Sequence, residues 1–351
     1  MHDGALRTAR LPLRWGMAAG GLLVAVVLLG IVVGPAGISI GDVFRSLVAR
    51  LDGGEGLDPR MEAILWEIRI PRVVLGGLVG AALAGSGATY QGVFRNPLAD
   101  PYLLGVAAGA GLGATLAITS GWTATWGPVG PLPLAAFVGG LLGVGLTYLV
   151  GSAAGRTNLA LILAGIAVAA FLTAVQTYVQ QRHADTLREV YGWILGRLST
   201  VGWTEVVVIT PYLVVAAAIT VAARGLLDVL AVGDEEATAL GISPARVRNV
   251  LVVAATLGAA SAVAVSGLIG FVGIIVPHTI RLVVGASYRA ILPLSFVLGA
   301  AFLILADVLA RTVVAPAELP IGVVTAFFGA PFFALVLRTT RGGMGDAARG
   351  R

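Results

Sequence analysis

The chain alternates long apolar runs with short polar stretches over nearly its whole length. A helix that crosses a bilayer core of about 30 Å needs roughly 20 apolar residues, and about ten runs reach that length. The pattern therefore predicts an all-α polytopic membrane protein, with a single transmembrane domain over residues 1–351. The predicted spans are 16–34, 71–90, 102–119, 130–150, 159–180, 205–223, 250–265, 268–284, 291–310 and 319–337.

Composition supports a membrane protein and excludes several kinds of chemistry. Hydrophobic residues make up 58% of the 351 residues and the mean hydropathy is +0.94, far above what a soluble domain needs. The 23 Lys and Arg positions are all Arg, which excludes a P-loop with its phosphate-binding lysine. Cysteine is absent and the three histidines are scattered, so no disulfide, thiolate site or HExxH motif is possible. We expect no catalytic residue, no metal site and no cofactor.

The distribution of arginines predicts an orientation. An even number of spans places both termini on one side, and if that side is the cytoplasm, 14 of the 23 arginines lie in inner segments. An excess of basic residues in inner loops is typical of membrane proteins. The first apolar run follows Arg7, Arg10 and Arg14, so a cleaved signal peptide is the alternative for that run. The run ends in VVGPAG without a clear A-x-A site, which favours a span.

A polar segment at residues 224–249, RGLLDVLAVGDEEATALGISPARVRN, separates the sixth and seventh predicted spans. It is too polar to cross lipid and must lie outside the membrane. Gly233 breaks the chain, Asp234 is expected to cap the next helix, and a second short helix is expected from Ser243-Pro244 after a tight turn. The candidate contact residues on this helical pair are Asp234, Glu235, Glu236, Ala237, Leu240 and Gly241. A solvated connector whose acids only favour the helix dipole is the alternative.

Several long motifs follow one another in a fixed order. They are EIRIPRVVLGGLVGAALAGSGATYQGVFRNPLADPYLLGVAAGAGLGA at residues 67–114, then GDEEATALGI, SGLIGFVGIIVPHTIRLVVG and ELPIGVVTAFFGAPFFALVLR. Over residues 60–340 the chain closely resembles the permease subunits of the bacterial ABC importers for iron-siderophores, haem and cobalamin. The resemblance implies a type II importer fold and a homodimer in the bacterial cytoplasmic membrane. It also implies two cytoplasmic ATPase subunits and an extracytoplasmic substrate-binding protein as partners.

The resemblance assigns roles to the polar segment and to three arginines. In the family, a pair of coupling helices at this place seats in a cleft of the ATPase. Arg69 and Arg72, in IRIPR, and Arg311, in LART, match positions that in the cobalamin member receive acidic residues of the binding protein. Arginines that merely anchor helix ends at the membrane surface are the alternative. For Arg311, pairing with Asp307 four residues earlier on one helix face is a further alternative.

The fifth predicted span carries a polar stripe. The positions are spaced by 3, 1 and 3 residues, which places them on one helix face, and they are Thr173, Gln176, Thr177 and Gln180. In the family this span lines the translocation path between the subunits, although hydrogen bonding between helices would require similar side chains. At the inner end of the span, Thr157 and Asn158 match the region where related permeases narrow the path into a cytoplasmic gate.

The predicted function is that of the non-catalytic membrane subunit of an ATP-driven importer for a metal chelate. Ferric siderophore is the expected cargo because that group is the most numerous in the family, and cobalamin and haem are the alternatives. A secondary transporter is the alternative class, and it would typically carry unpaired acids in mid-membrane. Asp307 is the main acid within a predicted span, and it has Arg311 beside it.

Overall fold

The computed structural model describes residues 12–349 except 35, 55, 126, 128, 156 and 199–201, and it leaves out the side chains of 158 and 337–349. The described chain is built from α-helices joined by short turns. The helices are α1 (Leu13–Val32), α2 (Ile40–Asp52), α3 (Pro59–Ala63), α4 (Ile70–Phe94), α5 (Val106–Ser120), α6 (Pro131–Ala153), α7 (Asn158–Arg182), α8 (Leu187–Ile194), α9 (Thr204–Ala222), α10 (Arg224–Val232), α11 (Asp234–Ala239), α12 (Pro244–Ser266), α13 (Val272–Val284), α14 (Tyr288–Thr312) and α15 (Ile321–Arg349). Single turns of 3-10 helix precede α5 and α8.

The predicted all-α polytopic fold is confirmed. In the described part of the chain, seven helices are long and apolar enough to cross a membrane, and three shorter apolar helices, α5, α13 and α15, account for the other predicted spans. We call the end that carries α10 and α11 the inner end, following the predicted orientation, and the opposite end the outer end. The amphipathic helix α2 and the short helix α8 lie in the outer connections between spans.

Helix α4 forms the centre of the molecule and contacts α9, α12, α13 and α14. Nearly every residue from Val79 to Phe94 is buried. Close contact is possible because small residues face the neighbours: a side chain at Gly80 would overlap the carbonyl of Gly299 in α14, and one at Gly87 would overlap Gly273 in α13. Small residues allow helix backbones to approach closely in a membrane, where packing replaces the hydrophobic effect between helices.

The second predicted span starts earlier than expected. The helix runs without a break from α3 through a π-helical stretch at Ile64–Arg69 into α4, whereas the predicted span starts at Pro71. Proline has no N–H for the carbonyl four residues before it, which is that of Glu67. The N–H of Gly202 bonds this carbonyl at 2.6 Å, and the indole N–H of Trp203 bonds the Trp66 carbonyl at 3.1 Å. The loop before α9 therefore satisfies carbonyl groups that the helix leaves free.

The polar segment also differs from the prediction in its helix boundaries. Two short helices are present, but they are α10 and α11, and the helix that begins at Pro244 is the long α12. Gly241, with φ +76°, ends the turn after α11 as expected. Between Pro244 and the apolar run no residue breaks the helix, so the polar turn and the span form one continuous helix.

Candidate coupling and docking sites

Asp234, the first residue of α11, connects the inner ends of three helices. Its carboxylate accepts hydrogen bonds from Arg248 of α12 at 2.8 and 2.6 Å and pairs with Arg95, the residue that ends α4. Arg95 also donates to the Leu230 carbonyl in α10 at 2.5 Å. The hydrogen bonds from Arg248 hold the pKa of Asp234 below its usual value. We call Arg95, Asp234 and Arg248 the Asp234 clamp; it attaches α11 to α4 and α12.

The expectation that Asp234 caps α11 is wrong. Gly233 occupies the N-cap position and makes no side-chain cap, while the Asp234 carboxylate binds the two arginines. Two charged donors offer stronger hydrogen bonds to a carboxylate than a single backbone N–H does. Glu236 folds back over Gly233, so closely that any side chain at position 233 would collide with the Glu236 carboxylate.

The exposed surface of the helical pair is not the one that the sequence suggested. Glu235, Glu236 and Gly241 are exposed, and the Leu240 side chain is 69% exposed. Ala237 is fully buried, so its assignment to the contact face is wrong. Its place on the apolar surface is taken by Val232 at the end of α10, which is 72% exposed. We define the inner contact surface as Val232, Glu235, Glu236 and Leu240.

A second attachment holds α10 against α14. The Asp228 carboxylate accepts from the Ser287 hydroxyl at 2.8 Å and from the Tyr288 backbone N–H at 2.6 Å. Arg281 of α13 donates to the Gln91 side chain and to the Tyr288 hydroxyl, both at 3.2 Å. Sequence reasoning did not identify Asp228, Arg95 or Arg248 as site residues. Their one sequence signal is a charged residue next to an apolar run, which does not reveal its partner.

Two of the three outer arginines bind the outer end of α1. Arg69 donates to the carbonyls of Ile31 at 2.8 Å, Val32 at 3.1 Å and Ala36 at 3.0 Å. Arg311 donates to the Gly30 carbonyl at 2.5 Å. The last carbonyls of a helix have no partner within the helix, and the helix dipole favours a cation beside them. Arg69, at the end of the π-helical stretch before α4, and Arg311 of α14 together provide this cap.

The third outer arginine, Arg72, lies between two carboxylates. It donates to Asp307 of α14 at 2.8 and 3.0 Å, and to Glu318, just before α15, at 2.9 Å through each terminal nitrogen. Asp307 also pairs with Arg311 at 3.4 Å, which confirms the pairing that the four-residue spacing suggested. Hydrogen bonds from Arg72 hold the pKa of Glu318 below its usual value.

Burial weighs against direct contact between these arginines and a partner. Arg69 and Arg311 are each 4% exposed and Arg72 is 9% exposed, and all three bind groups of their own chain. Their docking role stays a prediction. The more accessible member of the cluster is Glu318, whose side chain is 47% exposed. A cavity of about 200 Å³ opens beside it, and its charged lining residues are Arg72, Arg197, Asp307 and Glu318.

The four path residues on α7 divide into two pairs. Thr173 and Thr177 are exposed and are linked by a hydrogen bond from the Thr177 hydroxyl to the Thr173 carbonyl at 2.9 Å. Gln176 and Gln180 are 7% and 8% exposed. The Gln176 amide lies against Gly111 of α5. The glutamines therefore pack inside the subunit, and the threonines are the pair that a single chain leaves uncovered.

The two gate candidates lie at the inner start of α7. Thr157 is the N-cap, and its hydroxyl accepts from the Ala160 N–H at 3.1 Å. Asn158 is the first residue of the helix, and its side chain lies outside the described residues. Thr157 is exposed, and a cap of this kind sets where α7 begins. The gate role of both residues stays a prediction.

Comparison with known proteins identifies the family. The model of the FecCD transport family matches residues 22–339, which is most of the chain. The chain belongs to the FecCD transport family. Among FecCD relatives, the chain is 37% identical to the cobalamin import system permease protein BtuC of Halobacterium salinarum, covering 92% of the chain and 95% of that protein. It is 41% identical to the hemin transport system permease protein HmuU of Yersinia pestis, covering 78% and 83%.

A solved structure extends the FecCD comparison to the fold. The neighbour is an ABC transporter described as being of the metal-chelate type, in an inward-facing conformation, with a TM-score of 0.81 and 29% identity. The match covers 93% of this chain and all of the other. As a FecCD protein, the chain is a multi-pass permease subunit of an ABC transporter for metal chelates.

Proposed function

We propose that the chain forms the homodimeric pore of an importer in the cytoplasmic membrane, driven by two separate ATPase subunits. The observation that carries this proposal is the inner contact surface. Val232 and Leu240 present exposed apolar side chains next to Glu235 and Glu236, on two short helices outside the membrane. An apolar centre with a charged rim is typical of a protein interface. The ATPase is the partner that the FecCD family implies for this surface.

The attachments behind this surface provide a route for coupling. A push on α11 reaches α4 through Arg95 and α12 through Arg248, because both arginines bind Asp234. A push on α10 reaches α14 through Asp228. Since α4 is the central helix, movement at the inner surface shifts the helices around which the other spans pack. ATP-driven closure of the ATPases would therefore tilt spans and not only the exposed helices.

Helix α7 is the proposed lining of the path between two subunits. Its exposed side includes Thr173 and Thr177 together with apolar residues such as Leu163, which is 56% exposed, and Ile166, which is 54% exposed. The Thr177 hydroxyl donates to the Thr173 carbonyl, but each hydroxyl oxygen can still accept, and water in a path between two copies of the chain would supply that hydrogen bond. The path then has polar but uncharged walls, which suit a bulky polar chelate.

The outer cavity beside Glu318 is the proposed contact for the binding protein. Its walls carry Arg72 and Arg197, of which Arg197 is exposed. Under this proposal, Arg72 and its neighbours Arg69 and Arg311 act mainly by holding the outer ends of α1, α4 and α14 in place for docking. Arg197 and Glu318 meet the partner first.

Within the metal chelates, we propose ferric siderophore as the cargo, with haem and cobalamin as the alternatives. The relatives named above transport different chelates at similar identity, so likeness alone does not separate these cargoes. A secondary transporter is disfavoured because Asp307 is 2% exposed and bonded to Arg72 and Arg311. A coupling carboxylate must be free to bind and release its ion. Uptake by the reconstituted complex of ferric siderophores, haem and cobalamin, compared at equal concentration, identifies the cargo.

The coupling proposal is tested at the inner contact surface. Glu235→Arg combined with Leu240→Asp reverses one charge and places a carboxylate in the apolar centre. We expect co-purification of the ATPase to fall at least tenfold and transport to cease, with normal membrane insertion. The matched control is Glu189→Arg with Val313→Asp, which makes the same charge reversal and places a carboxylate at an exposed apolar position of the outer end, and it should leave ATPase binding intact. Full ATPase binding by the inner variant would return the segment to the role of a solvated connector.

A further inference from the structure

Two adjoining cavities form a groove between α6 and α12 at the inner end. Their volumes are about 380 and 420 Å³, and both are lined by Gly145, Tyr148 and Asn249. The first also reaches Ser152 and Arg248. None of these residues belongs to the proposed path on α7, to the inner contact surface or to the outer cavity. The groove is therefore a separate feature of the subunit.

The groove has the depth of one membrane leaflet. It extends along α12 from Ala245, the second residue of that helix, to Thr256. At a rise of about 1.5 Å per residue, these positions are roughly 16 Å apart, and Thr256 lies near the centre of the predicted span 250–265. Half of a bilayer core of about 30 Å is about 15 Å. A chain that filled the groove would end close to the middle of the membrane.

The deep part of the groove is apolar and opens toward the outside of the subunit. Its walls are Leu141 and Val144 of α6 with Val252 and Val253 of α12. Val253 is 68% exposed and Gly145 is exposed, so the opening is not covered by the rest of the chain. Both α6 and α12 are long enough to cross the membrane, which places this opening at the depth of acyl chains.

The shallow part of the groove carries excess positive charge. Arg248 lines it together with Tyr148 and Asn249, among mostly apolar residues. Arg248 and Arg95 share the single carboxylate of Asp234, so the clamp holds one more positive charge than negative. The Nε of Arg248 is buried and has no hydrogen-bond acceptor in the described structure. A phosphate beside this guanidinium would balance the charge, and small motions of the side chain would bring Nε within reach of it.

We propose that the groove binds an anionic phospholipid, with one acyl chain between α6 and α12 and its phosphate beside Arg248. Basic pockets between spans at the cytoplasmic side are typical sites for anionic lipid headgroups. The placement in the inner leaflet rests on the proposed function, in which α10 and α11 face the cytoplasm. The existence of the groove and its positive charge do not depend on that orientation. Because Arg248 also holds Asp234, the bound lipid would stabilise the Asp234 clamp and thereby the position of α11.

The test measures lipid binding to the purified full-length chain by native mass spectrometry. Phosphatidylglycerol and phosphatidylcholine with identical acyl chains are titrated in detergent, and we expect phosphatidylglycerol to bind at least tenfold more tightly. Gly145→Phe fills the junction of the two cavities; a Cβ there meets no atom within 4 Å, so the backbone tolerates a side chain. This variant should weaken phosphatidylglycerol binding at least tenfold. Gly21→Phe in α1, where a Cβ also meets open space, is the matched control and should change nothing.

Three results would overturn the proposal. Equal affinity for the two lipids would mean that the groove takes any acyl chain, without recognition of charge. Unchanged phosphatidylglycerol binding in Gly145→Phe would place the lipid elsewhere. Loss of the dimer in Gly145→Phe, seen by size-exclusion chromatography with light scattering, would make the groove a contact between subunits. If Gly145→Phe does not fold, Gly145→Leu fills the same space with a smaller side chain and is judged by the same results.

Discussion

Replacement of Arg69 by methionine tests whether this outer arginine caps the end of α1 or contacts the binding protein. The Arg69 guanidinium is buried and donates to the carbonyls of Ile31, Val32 and Ala36 at 2.8 to 3.1 Å. Methionine keeps an unbranched side chain of similar length but removes every donor. The bond from Arg311 to Gly30 then remains as the arginine bond to this helix end among the described residues.

The expected loss of stability follows from these bonds. A hydrogen bond to a charged group contributes about 1.5–3 kcal/mol, and removal of one member of a buried charged network costs about 3–5 kcal/mol. Two effects reduce the loss: the bonds to Val32 and Ala36 are only partly buried, and Arg69 no longer repels Arg72 and Arg311. We therefore expect Arg69→Met to lower the free energy of unfolding by about 3 kcal/mol, a large part of a typical total of about 5–15 kcal/mol.

The assay combines thermal unfolding in detergent with the affinity of the folded variant for the binding protein. Arg69→Met should melt well below the wild type, while its folded fraction binds the partner with less than a twofold change. Arg69→Lys should be intermediate, because an ammonium group keeps the charge but lacks the planar fork. Arg45→Met, at an exposed outer position that does not line the cavity beside Glu318, is the control for loss of positive charge. A variant Arg69→Met that melts normally and binds the partner at least tenfold more weakly would refute the capping role and support docking.

Three further predictions concern packing, charge and energy supply. Gly80→Ala should destabilise the protein by about 1–3 kcal/mol in thermal unfolding, because its Cβ would overlap the Gly299 carbonyl. The control is Gly77→Ala, whose Cβ meets only ordinary contacts and which should be nearly neutral. Equal effects of the two substitutions would contradict the packing argument. The pKa of Asp234 is lowered in the folded state, so its stabilising effect is present above its usual value of 3.8 and is lost as the pH falls through the lower folded value. Asp234→Asn should thus be less stable than wild type at pH 7, and the difference should shrink as the pH falls below 3.8. A difference that stays constant with pH would exclude ionisation of Asp234 as the cause. The purified chain alone should not hydrolyse ATP in a phosphate-release assay, because it has no lysine for a P-loop, and robust activity would be inconsistent with that reasoning.

The spans were predictable because their signal is local. An apolar run of about 20 residues forms a helix in lipid whatever its neighbours are, since the backbone must satisfy its own hydrogen bonds there. The pair Asp307 and Arg311 was predictable for the same reason, because a four-residue spacing places both on one helix face. The turn at Gly241 likewise depends on a single residue that tolerates positive φ.

Only the tertiary structure decided which side of each helix faces the protein. Lipid tails are as apolar as leucine, so a span in a membrane is apolar on both its lipid side and its protein side, and the pattern does not distinguish them. For this reason the sequence did not separate buried Gln176 from exposed Thr177 on α7. In the short helix α11, outside the membrane, no pattern showed that Ala237 is buried. The charged contacts depend on the same packing. Arg72 meets Glu318 across 246 positions of the chain, and Arg95 meets Asp234 across 139, so these partners are set by how α4 lies among its neighbours and not by any local spacing.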